Sequence, residues 1–161
     1  MSLPELNLPS TGGDLINLLK LKGRVVIYCY PMTGIPGIQP PVGWDQIPGA
    51  MGCTPQSCSF RDHYAEIQSL DANVFGLSTQ DTGYQKEMAE RLHLPFKVLS
   101  DNNLCFCKML NLPKFEFEGK TLIKRVTLIS NSGVIEAVNY PVFPSVSDPT
   151  WVINFLKNVV S

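Results

Sequence analysis

The chain has 161 residues, a size that suits one domain, and 44% of them are hydrophobic, which is enough to build a buried core. Thirteen Lys and Arg against fourteen Asp and Glu leave a net charge of −1, so we expect no nucleic-acid or membrane partner. No apolar run reaches the roughly 20 residues of a membrane span, and the first residues lack the pattern of a secretory signal. We therefore expect a cytoplasmic protein.

The first third of the chain predicts one buried strand between less regular segments. Residues 1–13 alternate Leu and Pro, which favours an extended lead-in. Asp14 is predicted to cap a short helical turn that ends at Gly23. Residues 24–30 are β-branched and aromatic, which is typical of a buried strand. Residues 31–52 are rich in Pro and Gly, so we expect a long loop, and loops of that length are commonly functional or mobile.

The middle of the chain predicts alternating helices and strands. A helix is expected from Cys53 to about Leu70, because apolar residues recur there at spacings of three and four. Residues 72–79 are a second predicted buried strand. Residues 81–94 are predicted to form a helix, and residues 96–101 a short strand.

The last third predicts a hairpin between two helices. Asp101 is predicted to cap a helix over residues 102–112. Residues 120–130 and 133–142 are expected to form two strands joined by an Asn-Ser-Gly turn. The closing helix is predicted over residues 149–160, with Pro at its first position.

The order of these elements predicts an α/β fold. Strands separated by helices imply a parallel core sheet, to which the hairpin adds an antiparallel edge. The sequence therefore predicts one thioredoxin-like domain over residues 1–161, with a central mixed sheet flanked by helices.

The five cysteines are Cys29, Cys53, Cys58, Cys105 and Cys107. An odd number without an export signal argues against a secreted disulfide scaffold. Their spacings do not match the usual zinc ligand patterns, so no metal and no cofactor are expected. We predict that Cys29 is a core residue of its strand. Cys105 and Cys107 are predicted to be structural, with Cys105 and Met109 on one face of a helix, and a distant resolving role is the alternative.

Cys53 stands at the predicted start of a helix, directly after a glycine. Free backbone N–H groups and the positive end of the helix dipole favour a thiolate there, and the thiolate is the nucleophilic form of cysteine. Cys58 lies five residues further along. In an intact helix the two Cα atoms would be roughly 8.5 Å apart, beyond the limit of about 7 Å for a disulfide. A bond between them would require the first turns to unwind.

Four segments together resemble the peroxiredoxin family. They are Tyr-Pro-Met-Thr after the first strand, the run Gly-Cys-Thr-Pro-Gln-Ser-Cys-Ser-Phe-Arg-Asp, the strand Gly-Leu-Ser-Thr, and Lys-Arg-Val-Thr-Leu-Ile. The pattern is most similar to the peroxiredoxin Q, or bacterioferritin comigratory protein, subgroup. The resemblance covers nearly the whole chain.

This resemblance implies a thiol-dependent peroxidase that reduces hydrogen peroxide and organic hydroperoxides. Cys53 would be the peroxidatic cysteine and become a sulfenic acid, and Cys58 would resolve it as a disulfide. Thioredoxin or a glutaredoxin-like dithiol would then reduce that disulfide. Arg125 would hold the thiolate and polarise the peroxide, because its charge cannot be lost. The subgroup also implies a monomer or weak dimer.

The chain departs from the family motif Pro-x3-Thr-x2-Cys, because the position expected to hold Thr is Ala50. Pro31 and Thr33 stand at the strand end where the motif should begin. We interpret residues 34–50 as an insertion after Thr33, which would leave the Thr33 hydroxyl able to bond the peroxide. The Thr54 hydroxyl and backbone amides are the alternative donors.

Two other functions are compatible with parts of the pattern. A thioredoxin-fold disulfide oxidoreductase is expected to carry a Cys-x2-Cys motif after the first strand, and the observed Cys-x4-Cys spacing argues against that function. A redox sensor or interaction protein without turnover could use the loop over residues 31–52 as its binding surface. Trp44 in that loop could form an interface, act as a lid or anchor the loop on the body of the protein.

Overall fold

The computed structural model describes residues 1–34, 38–47 and 50–160, so residues 35–37 and 48–49 of the predicted insertion lie outside the described residues. The strands are β1 (Leu8–Pro9), β2 (Leu15–Ile16), β3 (Arg24–Cys29), β4 (Ala72–Ser78), β5 (Val98–Ser100), β6 (Lys114–Phe117), β7 (Lys120–Ile123), β8 (Val126–Asn131) and β9 (Val134–Asn139). The helices are α1 (Cys53–Ser69), α2 (Thr82–Arg91), α3 (Cys105–Met109) and α4 (Asp148–Val160). None of the helices in the described ranges is long and apolar enough to cross a membrane.

The central sheet has the strand order β5-β4-β3-β8-β9. Strand β3 pairs in parallel with β4, and β4 pairs in parallel with β5. On the other side β3 pairs antiparallel with β8, and β8 pairs antiparallel with β9. The prediction of a parallel core with an antiparallel hairpin at the edge is therefore confirmed, as is the thioredoxin-like α/β class.

Strand β3 lies at the centre of two hydrophobic cores, one on each face of the sheet. Val26 and Tyr28 contribute to the core that contains Phe60 of α1. Val25 and Ile27 contribute to the core on the other face. This division follows from the strand period of two, which sends successive side chains to opposite faces. A strand that is buried on both faces carries the continuous apolar run seen in the sequence.

The cap predicted at Asp14 is wrong, and the helical turn predicted after it is confined to Leu18–Lys20. Leu15–Ile16 is strand β2, which pairs antiparallel with β1, and a short 3₁₀ helix capped by Asn17 follows it. Asp14 does not cap a helix, because its carboxylate accepts hydrogen bonds from Lys97, at 2.8 Å, and from Ser10. The ammonium of Lys97 and the hydroxyl of Ser10 lower the pKa of Asp14 to about 2.

The single strand predicted over residues 120–130 is also wrong, because the chain breaks at Lys124 and Arg125. Before the break, β7 pairs with β6, a strand that the sequence did not predict. The backbone N–H of Lys124 donates to Pro113 O at 2.8 Å, outside either ladder. After the break, β8 joins the central sheet. The interruption leaves Arg125 between two strands, with its side chain turned into the interior.

Candidate active site

Cys53 is the first residue of α1 and is almost completely buried, with 3% of its surface exposed. Gly52 precedes it as the N-cap in the left-handed conformation, at φ 107°. A Cβ atom at Gly52 would lie 2.5 Å from the Oγ of Ser145. Glycine is therefore required here both for its backbone conformation and for the close approach of a neighbouring side chain. The arrangement places the sulfur beside the free N–H groups that begin α1.

The structure brings Arg125 directly to Cys53. The Nη2 atom of Arg125 lies 3.2 Å from the Cys53 Sγ. The same nitrogen donates to the backbone oxygens of Met51 at 3.1 Å and Ala50 at 3.3 Å. Arg125 is itself 4% exposed, so these contacts form away from bulk water. The guanidinium thus holds both the sulfur and the segment that leads into α1.

The two protonation states of Cys53 have different partners. As a thiol, the Sγ donates to the backbone oxygen of Ala50 at 3.6 Å. As a thiolate it accepts from Arg125, whose charge cannot be lost. The helix N-terminus adds favourable partial charge on the same side. The surroundings therefore supply two independent stabilising interactions to the anion.

A buried polar network behind Arg125 was not predicted from the sequence. Arg125 Nη1 donates to Gln56 Oε1, and Gln56 Nε2 donates to Asp148 Oδ2 at 2.8 Å. Thr127 and Asn139 also donate to the Asp148 carboxylate. Burial raises the pKa of Asp148, while these donors and the Arg125 charge oppose that effect. The position of Gln56, one helical turn after Cys53, was the signal available in the sequence.

Thr33 and Pro31 lie at the carboxyl end of β3, and both are buried. The Thr33 hydroxyl donates to Gln80 Oε1 at 3.3 Å, and its backbone N–H donates to the same oxygen at 3.1 Å. Gln80 returns a hydrogen bond to the Thr33 backbone oxygen. Thr33 also lines the cavity that Cys53 lines. The structure thus places Thr33 in the wall of the cavity that Cys53 also lines.

A cavity of about 420 Å³ opens at Cys53. One side is formed by the start of α1, including Thr54 and Pro55, and another by Trp44 and Phe117. Trp44 is 4% exposed, and its ring centroid lies 5.1 Å from that of Phe117 and 6.2 Å from that of Phe115. Of the three roles considered for Trp44, the structure supports anchoring, because the ring packs against the β6–β7 ribbon. The anchored ring forms an apolar wall of the cavity.

Cys58 lies further along α1 and is half-buried with a free thiol. The helix is continuous from Cys53 to Ser69, so the pair is not bonded in this structure. Between the two cysteines, Ser57 is fully buried and its hydroxyl lies 3.0 Å from the Tyr28 hydroxyl. Unwinding the first turns of α1 would break this contact together with those of Gln56.

The other cysteines lie away from the cavity. Cys29 is fully buried in β3, as predicted, and Cys107 is buried with its thiol directed at Leu112 O. Burial raises the pKa of both thiols, which keeps them protonated. Cys105 and Met109 of α3 are both exposed. Within the described ranges, no cluster of His, Cys, Asp and Glu could hold a metal ion.

The chain is similar to known proteins in sequence and in fold. The family model for redoxin matches residues 1–152. The chain is 31% identical over 159 residues to Peroxiredoxin Bcp of Escherichia coli (strain K12), which covers 96% of this chain and 92% of that protein. It is 32% identical over 136 residues to the chloroplastic Peroxiredoxin Q of Oryza sativa subsp. japonica, which covers 84% of this chain.

The match covers 55% of the rice protein, so the chain spans about half the length of that relative. Among solved structures, the fold is similar to that of the Xanthomonas campestris bacterioferritin comigratory protein, studied for its alkyl peroxide reduction activity. The TM-score is 0.79 at 20% sequence identity, covering 100% of this chain and 98% of that one. At this level of identity the likeness concerns the fold.

Proposed function

The chain belongs to the redoxin family, among the peroxiredoxins of the Bcp and Q group, and we propose on this premise that it is a thiol peroxidase with Cys53 as its peroxidatic cysteine. The observation that carries the proposal is the 3.2 Å contact between Arg125 Nη2 and the Sγ of Cys53, a residue that lines the cavity. A cysteine in that position combines a sulfur held beside a fixed positive charge with space for a substrate.

The proposed reaction begins with attack of the Cys53 thiolate on one oxygen of a hydroperoxide. The S–O bond forms as the O–O bond breaks, so the sulfur is oxidised to a sulfenic acid and the peroxide is reduced. The leaving oxygen takes a proton and departs as water or an alcohol. Arg125 stabilises the negative charge that develops on that oxygen, since its guanidinium already points to the sulfur.

Thr33 is proposed to orient the peroxide in the cavity. Its hydroxyl now donates to Gln80, and rotation toward the cavity would let it donate to a peroxide oxygen instead. Pro31 lacks an N–H and cannot continue the β3 ladder, so it directs the chain out of the sheet toward Thr33. In this proposal Thr33 takes the part that the motif threonine would have at Ala50.

Cys58 is the proposed resolving cysteine. Its thiol would attack the sulfur of the Cys53 sulfenic acid, which forms a disulfide and releases water. A reduced dithiol protein, thioredoxin or a glutaredoxin-like partner, would then reduce this disulfide by thiol–disulfide exchange. Because the two cysteines are too far apart in an intact helix, the first turns of α1 must unwind before the bond can form.

Replacing Cys58 by serine is expected to stop turnover while leaving the first oxidation intact. Peroxide should still convert Cys53 to a sulfenic acid at the wild-type rate in a single turnover, detected as a dimedone adduct on the Cys53 peptide. Thioredoxin-dependent turnover of the Cys58→Ser variant should fall to background, because no disulfide forms for the dithiol to reduce.

The matched control is Cys105→Ser, which removes an exposed thiol from α3 and should turn over like the wild type. A peptide mass map of the oxidised wild-type protein should join the Cys53 and Cys58 peptides. Undiminished turnover in Cys58→Ser, or a map that joins Cys53 to another cysteine, would remove Cys58 from the proposal.

We propose that organic hydroperoxides are substrates, on the basis of the cavity wall. Trp44 and Phe117 present aromatic rings to the space beside Cys53. An aromatic surface binds the apolar group of an organic hydroperoxide, and it adds no binding energy for hydrogen peroxide, which has no such group. The alkyl peroxide reduction activity studied in the X. campestris protein is in line with this choice.

Replacing Trp44 by alanine is expected to raise KM for cumene hydroperoxide about tenfold, since losing an aromatic contact costs on the order of 1–3 kcal/mol. The KM for hydrogen peroxide should not change. Steady-state rates measured with both peroxides give the ratio of the variant KM to the wild-type KM for each substrate. The matched control is Trp151→Ala, because that tryptophan stacks on Phe155 of α4 and does not line the cavity. Equal changes for the two peroxides in Trp44→Ala would contradict the assignment.

A further inference from the structure

A continuous chain of buried hydrogen bonds connects the beginning of α4 to the sulfur of Cys53. We propose that Asp148 is a positioning residue of the site, which orients the Gln56 amide so that Gln56 holds Arg125 against Cys53. This inference rests on the proposed role of Cys53. Asp148 does not itself contact Cys53, and it does not line the cavity.

Asp148 is surrounded by hydrogen-bond donors. It is fully buried, and Gln56 Nε2 and Asn139 Nδ2 reach its two oxygens at 2.8 Å and 2.9 Å. The Thr127 hydroxyl donates to the same oxygen that Gln56 contacts. An ionised carboxylate accepts and does not donate, so this arrangement suits the anion. The charge-assisted bonds also compensate the burial of the carboxylate.

The carboxylate decides which way the Gln56 amide points. The amide nitrogen must face Asp148, since the carboxylate cannot donate a hydrogen bond to the amide oxygen. The amide oxygen therefore faces Arg125 and accepts from Nη1. In the reverse orientation, an N–H of Gln56 would face an N–H of Arg125, and both groups would be buried without that bond.

The orientation of Gln56 in turn fixes the guanidinium. Gln56 is fully buried one turn after Cys53 on α1, so its oxygen has a defined position relative to the sulfur. With Nη1 held by that oxygen, the planar guanidinium directs Nη2 at Cys53 Sγ. Displacing Nη1 would rotate the same rigid plane and lengthen the contact to the sulfur.

The other titratable groups near the sulfur do not supply this effect. Tyr28 of β3 and Tyr30, directly after β3, belong to the same core as Cys53, and burial raises the pKa of both hydroxyls, which remain neutral. Glu118 and Lys120 line the cavity, and no hydrogen bond in the described part of the chain connects either of them to Cys53. Asp148 is the acid connected to Cys53 through buried hydrogen bonds among the described residues.

The test is the variant Asp148→Asn, which keeps the shape of the side chain and introduces a donor. The new NH2 group can turn the Gln56 amide around, so that its nitrogen faces Arg125. We expect the pH midpoint of iodoacetamide alkylation at Cys53, followed by peptide mass spectrometry, to move up by about one unit or more. The kcat/KM for peroxide should fall about tenfold or more. The alkylation readout does not depend on peroxide turnover, so it tests Asp148 even if the proposed peroxidase activity fails.

Two further variants separate positioning from stability. Asn139→Ala removes another donor from the same carboxylate and should lower the urea midpoint of unfolding without moving the alkylation midpoint. The double variant Asp148→Asn with Gln56→Glu restores complementary pairing, because a carboxylate at 56 can accept from both Arg125 and the new amide. It should return the alkylation midpoint toward that of the wild type.

The proposal is overturned if folded Asp148→Asn alkylates at Cys53 with the wild-type midpoint, or if Asn139→Ala moves that midpoint equally. It is also overturned if the double variant shows no recovery. If Asp148→Asn does not fold, the same alkylation titration is carried out on Gln56→Met. A raised pH midpoint of Cys53 alkylation in that variant supports the proposal, and an unchanged midpoint overturns it.

Discussion

Peroxide-dependent oxidation of thioredoxin should disappear when Cys53 is replaced by serine. The serine hydroxyl is not ionised at neutral pH and is a far weaker nucleophile than a thiolate, even beside Arg125 and the start of α1. We expect a loss of more than about 1,000-fold in kcat/KM, which is a fall to background in practice. Oxidation of NADPH through thioredoxin reductase and thioredoxin measures this rate for hydrogen peroxide and for cumene hydroperoxide.

The matched control is Cys29→Ser, which changes a thiol that is fully buried in β3 and away from the cavity. It should retain peroxidase activity to the extent that it folds. The same assay separates the proposal from its rivals. A redox sensor would oxidise once and then not turn over with any dithiol. A disulfide oxidoreductase would reduce protein disulfides without peroxide, and retained peroxide turnover in Cys53→Ser would refute the assignment of Cys53.

Replacing Arg125 by methionine should lower kcat/KM by about 100- to 1,000-fold, the cost of removing one preorganised donor from a developing oxyanion. The reason is the double role of Nη2, which contacts the sulfur at 3.2 Å and points to the place where the leaving oxygen gains charge. The change should also shift Cys53 alkylation by iodoacetamide to higher pH. Stopped-flow measurement of single-turnover oxidation of Cys53 reports the chemical step directly.

The control for charge is Arg61→Met, because Arg61 also lies on α1 but pairs with Asp62 and with the backbone oxygen of Leu92. Its single-turnover rate should stay near the wild-type value. The single-turnover rate of Arg125→Lys should lie between those of Arg61→Met and Arg125→Met, since lysine keeps the charge and loses the planar fork.

Replacing Thr33 by valine should lower the single-turnover rate less than Arg125→Met does. An unaltered rate in Thr33→Val would leave the Thr54 hydroxyl or backbone amides as donors, and an unaltered rate in Arg125→Met would contradict the mechanism.

The elements with strong local patterns were predictable from the sequence. Strand β3 and helix α1 carry continuous apolar residues and a helical apolar face, so their positions follow from neighbours along the chain. The errors occurred where distant residues decide local structure. Asp14 pairs with Lys97 and so does not cap a helix. The break at Arg125 occurs where β7 pairs with β6 while β8 enters the central sheet.

The sequence by itself determined helices α1, α2 and α4 and strands β3, β4 and β5, the helix start at Cys53 and, through the resemblance, the choice of Arg125 as its partner. Each of these depends on residue types and spacings that are visible within a short segment. Only the tertiary structure decided that Trp44 lines the cavity together with Phe117 and that Gln56 connects Arg125 to Asp148. Gln56 and Asp148 are 92 positions apart. A hydrogen bond over that separation exists because α1 and α4 fold onto the same sheet, and a local pattern carries no information about which buried polar groups will meet.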